Sequence, residues 1–278
     1  MEYHKTLLAL FLLLGLFYAL YLLFSYLYER SNLRRIDKLP FSPSYEEIIK
    51  KIPHYEKLSQ EQKERIKKLI LRFVHTKTFL GARGFVITQE VKVLIAFYAS
   101  LLVLNLPRFD SYRSLKQVIV YPHTLISEEI AAHGGIYTQE RFLLGGLSIN
   151  DTVILSWHEA KKSAYHLHHS NLMLHEFAHE VDFMQGDANG VPPLQEAQYK
   201  GFIDILSKTY KRLCKKANTD RFWKEYKLLG RYAATNEAEF FAVATERFFE
   251  KPDVLKEKFP ALYKQLKDFY GIETASGV

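Results

Sequence analysis

The chain has 278 residues, of which 48% are hydrophobic, so it is long enough for one large domain or two small ones with a buried core. Its net charge is +7 at pH 7, but the lysines are spread along predicted helix faces, so no nucleic-acid partner is expected. The single cysteine, Cys214, excludes an internal disulfide and is in keeping with a reducing compartment.

The N-terminal segment predicts one transmembrane helix. Residues from Thr6 to Tyr28 carry no charge and are mostly Leu, Phe and Tyr, and they are numerous enough to span a bilayer as a helix. A cleaved signal peptide is the alternative, but the apolar run is too long and no small-residue cleavage site follows it. Only Lys5 precedes the span, so the positive-inside rule predicts that the body faces the cytoplasm. The basic residues after the span are Arg30, Arg34, Arg35 and Lys38.

The expected organisation is a transmembrane helix in residues 1–30, a basic linker in 31–44 and one folded domain in 45–272. The hydrophobic spacing in this domain is mainly helical with a few strands in the middle, which favours a single α+β domain. Helices are expected at 45–52, 59–77, 87–104, 202–217, 222–228, 237–250 and 254–270. Strands are expected at 117–121 and 152–157, and a loop at 79–84.

An HExxH motif stands in an apolar helical run of the domain, with His175, Glu176 and His179 as its polar residues. Side chains four residues apart lie on the same face of a helix, so the two imidazoles can bind one zinc ion. The carboxylate of Glu176 then reaches the rim of the site, where it can accept a proton from a metal-bound water. The alternative is a helix with two incidental histidines and an exposed glutamate.

A tetrahedral catalytic zinc needs a third protein ligand. Asp182 lies about 10 Å along the helix axis from His175, so we expect it to support the site through hydrogen bonds and not to bind the metal. The remaining solution is a glutamate from a separate helix downstream, and Glu239 provides it. Glu246 lies on the same face of that helix and is expected to support the metal ligands, because a buried carboxylate is costly unless it is paired.

Other residues admit both a functional and a structural interpretation. Glu237 and Glu250 fit exposed carboxylates of an amphipathic helix. His166, His168 and His169 form either a second metal site or a loop without metal. The strand before the HExxH helix either holds an extended peptide substrate through main-chain hydrogen bonds or is an ordinary core strand. The residues of this strand are Val153, Ile154, Leu155, Ser156 and Trp157.

Five segments of the chain match a known family. They are LHEFAH with DFMQGDANGVPPL, RYAATNEAEFFAVATERFF, KTFLGARGF, VIVYP and VILSW. Through them the chain resembles the Mlc titration factor A family of bacterial zinc-dependent peptidases. The resemblance implies an α+β zincin fold of the gluzincin kind, similar to the catalytic domain of anthrax lethal factor. It also implies His175, His179 and Glu239 on zinc, Glu176 as catalytic base, and a Tyr232 hydroxyl that donates a hydrogen bond to the oxyanion.

We therefore expect a metallopeptidase with one Zn²⁺ per chain and a peptide or protein substrate, with aminopeptidase-like cleavage as one option. The expected location is the bacterial inner membrane, as a single-pass protein with a cytoplasmic catalytic domain. The alternative function is a regulatory protein-binding module on a zincin fold, which sequesters a transcriptional regulator or another partner with little catalysis. The membrane segment distinguishes the chain from the soluble members of the family, so their repressor partner is not assigned to it.

Overall fold

The computed structural model describes residues 2–106, 112–123, 151–167, 170–184, 186, 189–217, 219 and 226–276. Most of the predicted helix 222–228 lies outside these residues, as do His168 and His169. The chain divides into two compact units, Met1–Pro40 and Phe41–Val278.

The first unit consists mainly of one long helix, α1, which spans Glu2–Ile36. Within it, Leu10–Ile36 is long and apolar enough to cross a membrane, with a hydropathy of 2.2 and no burial of its apolar window. A signal sequence near the N-terminus can meet the same criteria of length and composition. The helix continues beyond the apolar run, and Arg34 and Arg35 form its last turn, where positive charge interacts favourably with the helix dipole.

The second unit contains the remaining helices and a small sheet. Its helices are α2 (Pro43–Ile49), α3 (Pro53–Glu56), α4 (Gln60–Thr76), α5 (Gln89–Leu102), α6 (Trp157–Ala164), α7 (Leu172–Phe183), α8 (Glu196–Lys216), α9 (Glu237–Glu250), α10 (Pro252–Lys258) and α11 (Pro260–Tyr270). A short 3-10 helix, Tyr232–Ala234, precedes α9. The unit is thus mostly helical, as the hydrophobic spacing predicted.

The described sheet has three parallel strands in the order β1-β2-β3. The strands are β1 (Thr78–Gly81), β2 (Gln117–Tyr121) and β3 (Thr152–Ser156). In the register of β2 and β3, Val118 stands opposite Val153 and Val120 opposite Leu155, and all four side chains are buried. Since side chains alternate between the faces of a strand, these residues place one face of the sheet on the core.

Several predicted elements are confirmed and others are wrong in their extent. The strand at 117–121 and the helix at 237–250 are confirmed to the residue. The loop predicted at 79–84 is wrong, because β1 occupies its first part; three of the four β1 residues are exposed, so no hydrophobic alternation marks the strand.

The helix predicted at 254–270 is two helices. Phe259 takes φ −135° and ψ 60° before Pro260, a position where helical backbone is disfavoured. Trp157 begins α6 instead of ending β3, and α8 begins six residues before the predicted start.

Helix α7 lies at the centre of the second unit and packs against α9 and α5. Its Phe177 is completely buried, with ring centroids 5.6 Å from those of both Phe73 and Tyr112. An apolar helix surrounded by other helices is held in place by packing on several sides. The polar residues of the HExxH motif are therefore carried by a helix that is packed on several sides.

The segment that follows α7 comes close to the start of α9 at Gly190. Its φ of +79° lies in the left-handed region, and a Cβ added there would lie 2.5 Å from the carbonyl oxygen of Glu237, the first residue of α9. Only glycine fits this contact, so the approach sets where α9 begins relative to the end of α7.

We expect Gly190→Ala to lower the free energy of unfolding by about 1–3 kcal/mol, because a residue with a Cβ is strained in this backbone conformation. Gly201→Ala is the control. Gly201 lies within α8, and a Cβ there meets only side-chain atoms of Gln265, at 3.8 Å or more. That change should stabilise the protein by roughly 0.5–1 kcal/mol, since alanine favours helix. Denaturant unfolding of both variants measures the effects, and equal stabilities would contradict this account of Gly190.

Candidate metal centre

Three potential metal ligands converge between α7 and α9. His175 and His179 lie one turn apart on α7, and Glu239 lies in the first turn of α9, where the Asn236 side chain caps the helix by accepting from the Glu239 N–H. Nε2 of His175 is 3.1 Å from Oε2 of Glu239, and Nε2 of His179 is 3.3 Å from both. The three side chains can hold one metal ion together.

The spacing of these atoms fits a metal ion better than it fits hydrogen bonds. An ionised carboxylate has no hydrogen to donate, and two Nε2 atoms that face each other leave room for a hydrogen on only one of them. In a tetrahedral site with bonds of about 2.0–2.1 Å, neighbouring ligand atoms lie about 3.3 Å apart. The observed distances of 3.1–3.3 Å match that edge. Two imidazole nitrogens and one carboxylate also form a donor set of catalytic zinc sites.

The electrostatics of the cluster suit the same ion. Burial raises the pKa of Glu239, but hydrogen bonds and charge from His175 and His179 outweigh it and hold that pKa well below its usual range. Burial lowers the pKa of His179, which favours the neutral imidazole that binds metals. Burial also lowers the pKa of His175, but the carboxylates of Glu239 and Glu246 raise it to about 10. The carboxylates around His175 thus favour a positive charge at this position, which a metal ion would supply.

The second nitrogen of the His175 ring faces Glu246. Nδ1 of His175 lies 3.7 Å from Oε2 of Glu246, an ion-pair distance slightly longer than a hydrogen bond. The other oxygen of Glu246 accepts from the guanidinium of Arg247 and from the backbone N–H of Asn171, both at 2.9 Å. A carboxylate behind a histidine ligand fixes the orientation of the ring. The structure thus brings Glu246 to His175, whereas it was expected only somewhere near the ligands.

Glu176 and Tyr232 both lie near His175. Glu176 is the next residue along α7, is buried, and has an oxygen, Oε1, without a hydrogen-bond partner among the described residues. Burial raises the pKa of Glu176 well above its usual range, although the charge of His175 lowers it. The Tyr232 ring lies in the short 3-10 helix, with its centroid 6.0 Å from that of the His175 ring. Both sequence-predicted residues are therefore beside the cluster.

Asp182 lies apart from the ligands. It is fully buried, and its Oδ2 accepts from the backbone N–H of Gly190 at 2.7 Å. This hydrogen bond holds the segment whose Gly190 approaches the start of α9. Asp182 thus accepts a hydrogen bond at the end of α7 and is not one of the three side chains that could hold a metal ion.

A cavity of about 430 Å³ flanks the cluster. Its lining includes His175 and Tyr232 but not His179 or Glu239, so it opens beside the ligands. Ser156 lines this cavity, and its Oγ is buried without a hydrogen-bond partner in the described part of the chain. The end of β3 therefore reaches the site.

The other residues of the predicted substrate strand have different surroundings. Val153 and Leu155 are buried in the core, and Ile154 is half-buried. Trp157 belongs to α6 and packs against Phe85, with ring centroids 6.1 Å apart. Side-chain contact with the cavity is thus limited to Ser156 among these five residues.

The prediction for Glu250 is wrong. Its side chain is completely buried, and its Oε1 accepts from the side-chain amide of Asn171 at 2.8 Å. Glu250 stands four residues after Glu246, on the same helix face, and this spacing was the signal that it points inward as well. Glu237 is exposed, as predicted.

The histidine cluster before α7 gains no metal site within the described residues. His166 is exposed and belongs to no group of three metal-ligating side chains that the structure describes. The other two histidines of that cluster are outside the described residues.

The amino-acid sequence is similar to known proteins over most of the chain. A sequence model of the family described as "Glucose-regulated metallo-peptidase M90" matches residues 27–271. An uncharacterized protein of Synechocystis sp. is 31% identical over 249 residues, which cover 86% of this chain and 88% of that protein. The Mlc titration factor A of Cronobacter sakazakii is 28% identical over 79% of this chain and 83% of its own length. That of Escherichia fergusonii is 26% identical over 83% of this chain and 86% of its own length. The similarity predicted from the sequence segments is confirmed.

The buried carboxyl of Asp182 should give the stability a measurable pH dependence. Burial raises its pKa from the usual 3.8 to about 7, against the opposing effect of the N–H groups of Gly190 and Val191. The folded chain then binds a proton at Asp182 more tightly than the unfolded chain does. For this group, stability is greatest below about pH 4 and decreases as the pH rises to about 7.

Asp182→Asn removes this titration, while the amide oxygen can still accept from Gly190. We expect the stability of the variant, relative to the parent, to increase from about pH 4 to pH 7 and then to stay constant. Urea unfolding at a series of pH values measures the difference, with the exposed-face change Asp204→Asn as control. Parallel pH profiles of parent and Asp182→Asn would refute the assignment.

Proposed function

Because the chain belongs to the M90 family of glucose-regulated metallopeptidases, we propose that it is a zinc-dependent enzyme that hydrolyses peptide bonds with a water molecule. The observation that carries the proposal is the convergence of His175 Nε2, His179 Nε2 and Glu239 Oε2 at mutual distances of 3.1–3.3 Å. Zinc is the proposed metal, one ion per chain, because two imidazoles and a carboxylate suit it in a four-coordinate site. The family implies peptide or protein substrates.

The three ligands would leave one position of a tetrahedral zinc site open, as catalysis requires. When bound, the ion would polarise the scissile carbonyl and lower the pKa of a water molecule. Glu246 would orient His175, because its carboxylate faces Nδ1 of that ring. Hydrogen bonds from Arg247 and from the backbone N–H of Asn171 fix the position of this carboxylate.

Glu176 is the proposed general base. It would take a proton from the attacking water and deliver it to the leaving amine. The position of Glu176 supports the assignment, because its carboxylate is buried next to His175 and its Oε1 has no hydrogen-bond partner among the described residues. Tyr232 would donate a hydrogen bond to the substrate carbonyl oxygen as negative charge develops there, and its position beside His175 supports that role.

The substrate is proposed to lie along β3. In the described sheet β3 pairs only with β2, so the main-chain groups of Val153 to Ser156 at its other edge would bind an extended peptide, with Trp157 just beyond the end of the strand. The cavity at Ser156 would then take a side chain next to the scissile bond. Aminopeptidase-like cleavage is one form of this activity. A mostly helical unit with a small sheet also supports the proposed zincin fold, of the gluzincin kind seen in anthrax lethal factor.

The proposed organisation is a transmembrane helix in 1–30, a linker in 31–44 and the metallopeptidase domain in 45–272. The apolar exposed helix α1 supports membrane anchoring, and the basic residues at its end support a cytoplasmic catalytic domain at the bacterial inner membrane.

A second function is the binding of a regulatory protein on the same fold with little catalysis. The observation that favours it is the name of the relatives, Mlc titration factor A, which refers to titration of another protein. The complete set of ligands together with Glu176 favours the enzyme, because a module that only binds needs no buried base.

Two variants separate metal binding from proton transfer. Glu176→Gln keeps the shape of the side chain but cannot accept a proton, so we expect the full-length chain to keep one zinc ion and lose hydrolysis by at least roughly 10²–10⁴-fold. Glu239→Ala removes a ligand and should lower zinc affinity and activity together. Zinc content by atomic spectroscopy and cleavage of a peptide library measure both. If Glu176→Gln cleaves as fast as the parent, the proposed mechanism fails. If the parent cleaves nothing and a cellular function survives Glu176→Gln, the regulatory role is favoured.

The orientation in the membrane has its own test. A reporter fused to the C-terminus should give a cytoplasmic signal, because the basic residues follow the apolar helix. A periplasmic signal would overturn the orientation, and a shortened soluble protein in cells would identify α1 as a cleaved signal.

A further inference from the structure

Asn171 both caps α7 and contacts α9. Its Oδ1 accepts from the backbone N–H of Leu174, which caps the helix. Its backbone N–H donates to Oε1 of Glu246 at 2.9 Å, and its side-chain amide donates to Oε1 of Glu250 at 2.8 Å. Asn171, Glu246 and Glu250 are all buried. One residue thus joins the first turn of α7 to two carboxylates one turn apart on α9.

These contacts lie directly behind the first metal ligand. Asn171 is one helical turn before His175, and Glu246 faces Nδ1 of that histidine. A single hydrogen bond between two helices would leave them free to rotate or slide about it. Two bonds, to residues four apart on α9, fix both the height and the rotation of α7 at this end. The rotation of α7 in turn sets the direction in which His175 and His179 point.

The Glu250 side of this contact is anchored further. Its Oε1 lies 3.6 Å from Nε2 of His54 in α3, and both side chains are almost completely inaccessible to solvent. A buried carboxylate that loses a hydrogen-bond donor retains its full desolvation cost. Burying Glu250 therefore costs free energy unless its carboxylate is hydrogen-bonded. The side-chain amide of Asn171 supplies one such hydrogen bond.

We propose that Asn171 and Glu250 are positioning residues for the metal centre, which hold His175 with Nε2 toward His179 and Glu239 and with Nδ1 toward Glu246. The proposal rests on the zinc site of the proposed function. It concerns two residues outside the set of three ligands, and it assigns to the Asn171 side chain a task beyond capping the helix.

The test uses the full-length chain with substitutions at two positions, Asn171 and Glu250, that leave the N-cap of α7 in place. Asn171→Ser still caps α7, because serine is a favoured N-cap, but it cannot reach Glu250. Glu250→Ala removes the acceptor, and Glu250→Gln restores a neutral acceptor of the same length. Zinc affinity is measured by competition with a chelator. The visible absorption of the Co²⁺-loaded chain reports ligand geometry, and thermal unfolding of the metal-free chain reports the fold. Ser59→Ala, which removes the N-cap of α4, is the control for a loss of stability alone.

We expect Asn171→Ser and Glu250→Ala to lower zinc affinity by about 10–100-fold, the usual effect of losing a partner behind a metal ligand. Both should change the Co²⁺ spectrum, Glu250→Gln should restore affinity and spectrum, and Ser59→Ala should alter only thermal unfolding. If Asn171→Ser binds zinc as the parent does with an unchanged Co²⁺ spectrum, the positioning role is overturned while the zinc site stands. If Ser59→Ala lowers zinc affinity equally, the effect is general destabilisation and the proposal also fails. A parent chain that takes up no zinc would overturn the proposed function itself, and the positioning role with it.

Discussion

Glu246 and Glu250 both accept hydrogen bonds from Asn171, and the arrangement of the candidate site depends on this contact between α9 and α7. Burying carboxylates is expensive unless each one is paired. Here the pairing partners come from the start of the HExxH helix, so the helices can meet in few other ways without leaving a charge unsatisfied. Burying these charges costs free energy, but it also restricts the ways in which α7 and α9 can pack against each other.

The opposite end of the interface uses a different device. Asp182 near the end of α7 binds the N–H of Gly190, and Gly190 approaches the carbonyl of Glu237 so closely that only glycine fits. Between these two ends, His175, His179 and Glu239 face one another. Two helices that are fixed at both ends can hold ligand atoms at metal-binding distances, which is the preorganisation that catalytic sites require.

Burial disfavours the charge on Glu239, and the two imidazoles beside it compensate by hydrogen bonding. A divalent ion satisfies all three side chains at once, so metal binding and folding should be coupled in this region. The surrounding packing, in which Phe177 of α7 contacts rings from α4 and the segment after α5, supplies rigidity that the polar cluster by itself lacks.

The sequence by itself determined the HExxH helix, the strand at 117–121 and the helix at 237–250, because each has a local pattern of hydrophobic spacing that needs no distant partner. It also pointed to Glu239 and Glu246, since carboxylates on an apolar helix demand a partner. The tertiary structure alone decided which partner each one has. Glu246 faces His175, Glu250 is buried although it was expected at the surface, and Asp182 serves the loop at Gly190. Hydrophobic spacing does not reveal the exposed strand β1, because its residues show no alternation of buried and exposed side chains. It also does not reveal the helix break before Pro260, because the apolar pattern continues across that break. Local sequence patterns indicate which hydrophobic residues face the core. The pairing of buried polar groups depends on how two helices pack against each other, so it is determined only in the tertiary structure.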